Sequence, residues 1–252
     1  MRYSKEFFDL QIHFARAAVA LIDMPIERAL LDYTNIYVRF GLGRDFDHDH
    51  PTWRCYVDGL SQADDLCDWT YRFYLARTEA SQPQSMVATF GCFSYAKQDA
   101  ECVRIHFQNI EPPMVSPLSI NRLPVRFAEL RLLFDHVRHN QPEAKRVAGT
   151  SWLYNLRAYQ RCFPKGYVAS AKVAKSRFRN MPLWGQFLDR NGFVRIGIAE
   201  DFLRRLSNVT DGRDLSLSFP LQALAVEAPI AQFYGLYGIG HDQRISVLRT
   251  GE

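Results

Sequence analysis

The chain reads as an α+β protein with a helical N-terminal layer packed on a mixed, largely antiparallel sheet. Three observations predict this. Over residues 5–77 apolar side chains recur at helical spacing, over residues 86–108 they alternate, and beyond residue 183 an Asn191-Gly192 pair and further alternating runs point back to β structure. At 252 residues and 47% hydrophobic content the chain is long enough to bury a sizeable core. The expected organisation is one domain over residues 1–252, with a helical part at about 1–80, a mixed α/β middle at about 86–180 and a β-rich part at about 181–252.

Residues 5–21 carry Phe7, Leu10, Phe14, Ala17 and Leu21 on one helical stripe. A second helix is expected from Asp23 and Pro25 to Phe40, ended by Gly41 and Gly43, because a cap followed by proline opens helices and glycine closes them. The dense run Asp45 to His50 matches no familiar metal-ligand order, so Asp47, His48 and His50 are read as a solvated loop, and no metal is assigned. A third helix is expected over 61–77 with Ser61 as cap and Asp64, Asp65 and Asp68 in its first half.

Residues 86–95 and 102–108 alternate as two strands. In the second, Val103, Ile105 and Phe107 face one way, and Arg104, His106 and Gln108 the other. That polar face either meets water or lines a site. After a proline-rich connection at 111–119, Leu123, Phe127, Leu130, Phe134 and Val137 define a helix with Pro124 in its first turn. A strand over 147–154 and a short helix over 157–162 follow. A helix over 167–179 is expected to turn Lys165, Lys172, Lys175 and Arg179 to one side as a basic ridge. A hairpin over 184–199, a short helix at 200–207 and strands at 215–221, 233–239 and 245–248 complete the reading.

Charge is unevenly spread. Residues 1–101 hold 10 basic and 15 acidic side chains, whereas residues 102–188 hold 14 and 4. From Lys145 to Leu188 there is no carboxylate at all, and aromatic residues run through the stretch. A basic centre of this kind suits an anionic partner. Arg122 and Arg126 lie four apart at a helix N-terminus, where free backbone N–H groups and two guanidinium groups can clamp a phosphate or carboxylate. Glu129, three residues from Arg126, is the internal alternative to a ligand anion.

No phosphate-loop, dinucleotide, zinc-protease or nucleophile-elbow motif is present, so no cofactor is named by the sequence. The leading expectation is a protein that binds, and acts on, an anionic or phosphorylated small molecule of the nucleotide or coenzyme-A class. Arg104, Ser119, Arg122, Arg126, Ser151, Asn155, Lys172, Lys175 and Arg179 are its candidate ligand-binding residues, with His106 as acid or base. Cys162 lies among Arg157, Arg161 and Lys165 but reads as a buried structural thiol. Single-stranded nucleic-acid binding through the basic, aromatic-rich middle is an alternative, and docking of an acidic protein partner is another. The five cysteines and the absence of any long apolar run point to reduced thiols, no membrane insertion and a cytoplasmic location.

From residue 102 the order strand, helix, strand, short helix resembles the central part of the coenzyme-A-dependent acetyltransferase fold. In that family a helix N-terminus after the fourth strand holds the pyrophosphate. The resemblance implies acyl transfer with coenzyme A and puts Tyr159 near the family's catalytic tyrosine. It covers about 60 residues in element order only, and the segment 119–126 lacks the family's glycine-rich turn.

Overall fold

The computed structural model describes residues 2–77, 86–112, 114–174 and 181–240. Its architecture is α+β, with a mixed six-stranded sheet and helices. The N-terminal helices are α1 (Lys5–Ile22), α2 (Ile26–Tyr33), α3 (Ile36–Arg39), α4 (Pro51–Ser61) and α5 (Leu66–Leu75). α1 buries Phe7, Phe8, Leu10, Phe14 and Ala18, the stripe its spacing predicts. The expected helix over 23–40 is divided at Thr34. The Thr34 hydroxyl donates back to the Leu30 carbonyl, and the Asn35 N–H is taken by the buried side chain of Gln11 at 2.8 Å. Ser61 does not cap a helix; it ends α4. The cap of α5 is Asp65, whose carboxylate accepts from the N–H groups of Cys67 and Asp68 at 2.7 and 3.2 Å. α4 itself is opened by His50, whose Nδ1 accepts from the Thr52 N–H, with Pro51 in the first turn.

The strands are β1 (Ala88–Phe90), β2 (Phe93–Lys97), β3 (Cys102–Phe107), β4 (Arg146–Ser151), β5 (Lys172–Val173) and β6 (Leu224–Pro229), in the order β1-β2-β3-β4-β6-β5. Residues 86–95 are not one strand, because Gly91, at φ 57°, folds the run into the β1–β2 hairpin. α6 (Leu123–Asn140) carries the chain from β3 to β4, which run parallel as a crossover of this length allows. The other neighbours are antiparallel. β3 and β4 pair only from Cys102↔Arg146 to Arg104↔Ala148. Beyond that point β3 stays with β2 and β4 stays with β6.

After β4 come the short helices α7 (Arg157–Gln160) and α8 (Lys165–Ala169), then 3-10 turns at Met181–Phe187 and Gly212–Ser218 that flank α9 (Ile196–Leu206). α10 (Ile230–Tyr237) follows β6. The expected helix over 167–179 stops at Ala169, and Lys172 lies on β5, so Lys165 and Lys172 share no helix face. Lys175 and Arg179 lie outside the described residues. The C-terminal part is not β-rich among the described residues. Ala199, Phe202 and Leu206 are buried at helical spacing in α9, and Ile230, Phe233 and Tyr237 in α10. Apolar runs this short satisfy either period, and packing decided for helix. The Asn191-Gly192 turn survives as a single bridge, Leu188↔Val194, with Gly192 at φ 89°. The expected strand at 245–248 lies outside the described residues.

Two hydrophobic cores result. One joins α1–α5 to residues 181–223 around Trp184, whose ring stands 5.6, 5.9 and 5.1 Å from those of Phe14, Phe202 and Phe219. Its indole N–H donates to the Tyr33 carbonyl at 3.2 Å. The other lies between one sheet face and α6, α8 and α10, with Val103, Ile105, Val147, Leu133, Phe134 and Phe233 among its members. Trp152 packs onto the first core from the sheet's side, and the Asn155 amide donates to the Gln222 carbonyl at 2.8 Å. No described helix is long and apolar enough to cross a membrane.

Candidate anion-binding site

The two faces of the sheet differ by simple alternation. Val103 and Ile105 of β3 join the second core, so Arg104 and His106 must face the other way, opposite Ala96 and Ser94 of β2. Toward that face the N-terminal helices send Arg44, from the loop that leaves α3 after Gly41 and Gly43, which stand at φ 77° and 102°. Arg44 Nη1 lies 3.1 Å from His106 Nδ1. A guanidinium only donates, so Nδ1 is the acceptor and the proton of the neutral ring sits on Nε2.

Positive charge converges here. Burial, then Arg44, then Arg104 push the His106 pKa down to about 3. Burial, then Arg39 and Arg104, also lower the pKa of Arg44. Arg44 is nonetheless exposed to solvent. Solvent contact settles its access for a ligand, and the lowered pKa reports the crowding of atoms and charges around it.

Among the described residues these cations have neutral partners. Arg104 donates through Nε and Nη2 to the neutral Gln98 Oε1, at 3.0 and 2.7 Å. Arg39 donates to the Tyr3 hydroxyl at 2.7 Å and lies over that ring, while its Nε is buried without a partner. Among the described residues no salt bridge involves Arg39, Arg44 or Arg104. Arg44 and Arg104 thus bring two positive charges to His106 with no ion pair to either among the described residues, and charge of this kind favours an anion.

The expected clamp of Arg104 with Arg122 and Arg126 does not come together. Arg122 and Arg126 begin α6, which covers the opposite face of the sheet. They are also filled from within. Arg126 is 1% exposed and donates to Glu111 and Glu129 at 2.6 and 2.8 Å, and Arg122 also binds Glu111. Hydrogen bonds from Arg122 and then Arg126 hold the Glu111 carboxyl below its usual pKa range. Burial raises that of Glu129.

The remaining candidates scatter. Lys172 shares the Arg104 face but is separated from β3 by β4 and β6, roughly 14 Å at the usual strand spacing. The Ser151 hydroxyl accepts from the Leu153 N–H at 3.1 Å, which opens the 3-10 turn Trp152–Asn155. The Asn155 amide bridges two carbonyls, those of Trp152 and Gln222. Ser119 precedes the 3-10 turn Ile120–Arg122 without a side-chain cap bond.

Tyr159 is 2% exposed among Phe93, Phe107, Tyr154 and Phe163, and burial keeps its hydroxyl protonated. With Tyr154, Phe163, Tyr167, Trp184 and Phe187 also buried, these aromatic rings of the basic stretch are core and offer no face for stacking bases. Cys162 is buried too, and burial pushes its thiol up to about 11. Asp47, His48 and Asp49 cluster within 4.8 Å on the surface, whereas His50 turns inward as the cap of α4.

Sequence reasoning singled out Arg104 and His106 but missed Arg44. Its one local signal is position, directly after a two-glycine helix end and before an acidic loop. The chain matches no protein-family model, no curated protein and no solved structure.

Proposed function

We propose that the protein binds an anionic or phosphorylated small molecule, of the nucleotide or coenzyme-A class, at the basic patch formed by Arg44, Arg104 and His106. The observation that carries this is the meeting of Arg44 and His106 at 3.1 Å beside Arg104, with no carboxylate among the described residues paired to either arginine. An anion there relieves like-charge repulsion and takes charge-assisted hydrogen bonds from both guanidinium groups. It also draws Arg44 off His106, which frees the Nδ1 lone pair next to the bound group. The same ring then serves as a general base.

Acyl transfer with coenzyme A is the narrower reading. It is supported by the sequence of β3, α6, β4 and α7, and by the parting of β3 from β4 beyond Arg104, which leaves His106 at the mouth of the gap.

Thermal shift against ADP, coenzyme A, a hexose phosphate and inorganic phosphate tests the proposal. A ligand at a hundred times its Kd raises Tm by roughly 5–10 °C. Arg44→Gln with Arg104→Gln removes that rise, and Arg122→Ala leaves it. No shift from any of the four, or a shift lost only in Arg122→Ala, overturns the assignment.

A further inference from the structure

Away from the basic patch, α1 and α9 border an open cavity of about 500 Å³. From α1 it is lined by Glu6, Asp9, Leu10 and His13. From α9 it is lined by Ile196, Ala199, Glu200 and Leu203. Both sets follow the same i, i+3, i+4, i+7 spacing, so each is one helix face about 10 Å long. Phe193 and Ile196 at one end are 61% and 71% exposed, and Leu203 is 37% exposed.

An apolar floor of this kind, left open to water, marks a binding surface. Its walls are acidic. Asp9 is held by Lys5 at 3.2 Å, but no ion pair among the described residues involves Glu6 or Glu200, which stand exposed on opposite walls.

We infer that this groove docks an amphipathic α-helix of a partner protein, with the partner's apolar stripe on Leu10, Ile196 and Leu203 and its Lys or Arg residues against Glu6 and Glu200. Two helix faces of equal spacing and length form the groove into which the ridge of a third helix packs. Charge selects the occupant. A second copy of this chain, placed by a two-fold axis, would set one acid-walled groove against another, whereas a basic helix meets Glu6 and Glu200 with opposite charge.

The test is fluorescence anisotropy of the full chain with two labelled helical peptides at about 0.15 M salt. One carries Leu at i, i+3, i+4 and i+7 with Lys elsewhere, and the other has Glu in place of Lys. The Lys peptide is expected to bind at least about tenfold more tightly than the Glu peptide. Ile196→Asp, at a side chain already facing water, weakens it by a similar factor, and Glu200→Lys reverses the preference. Arg44→Gln with Arg104→Gln leaves Lys-peptide binding unchanged, which separates this groove from the anion site. Equal affinity for the two peptides, or indifference to both Ile196→Asp and Glu200→Lys, overturns the inference. So does sedimentation that shows a dimer lost in Ile196→Asp.

Discussion

Arg44 and His106, 62 residues apart in the chain, meet Nη1 to Nδ1 at 3.1 Å. The contact requires a neutral imidazole, and Arg104 adds a second positive charge against protonation. Histidine in the unfolded chain takes up a proton near pH 6.5, while His106 in the fold does so only at about 3. The unfolded state therefore binds more protons in this window. The stabilisation is fully present above pH 6.5 and is lost as pH falls toward 3. Urea unfolding at a series of pH values is expected to show this slope in the wild type and a shallower one in His106→Gln. Equal slopes would remove His106 as the titrating group.

The Arg44 charge should be readable at the His106 ring. Arg44→Gln removes one of the two cations that act on it, so the ring's pKa rises toward 6.5. An NMR titration of the His106 ring protons measures this directly. A pKa unmoved by Arg44→Gln and by Arg104→Gln would mean that burial alone depresses it.

Arg126 is a different kind of arginine. It is 1% exposed, and its partners Glu111 and Glu129 expose only 8% and 14% of their side chains. Arg126→Met leaves Glu129 without its cation and Glu111 with Arg122 alone, and is expected to cost about 3–5 kcal/mol in denaturant unfolding. Adding Glu111→Gln and Glu129→Gln to the same chain should recover part of the loss, because the uncompensated charges go with them. A loss below about 1 kcal/mol would assign the cluster to the surface-pair class.

Gly149 is set by two tyrosines. A Cβ on it would collide with the hydroxyls of Tyr154 and Tyr167, which bond to each other at 2.8 Å. Gly149→Ala is expected to lower stability by about 1–3 kcal/mol through overpacking. Tyr154→Phe together with Tyr167→Phe should then relieve part of that cost. The space beside Gly149 is thus filled by side chains of the same chain.

Legibility in the sequence followed the reach of the interaction. α1, α6 and β3 were readable because each repeats its period over enough residues to exclude the other. The helix expected at 200–207 is the body of α9, but its first turn reads as strand because Val194, Ile196 and Ile198 alternate, and α10 reads as strand because its short aromatic run fits both periods. β6 was not foreseen, since its Ala-Val-Glu-Ala pattern is weak alone and becomes a strand by pairing with β4.

The same distinction runs through the candidate site. The sequence by itself determined that Arg104 and His106 share a face, because side chains alternate along any strand. It also determined that Arg122 and Arg126 stand at a helix start and that the middle of the chain is basic. Only the tertiary structure decided which arginines keep their charge available. Packing put Glu111 and Glu129 on Arg126, and brought Arg44 to His106. Local spacing sets the direction of a side chain, but its partner comes from whichever distant segment the core draws against it.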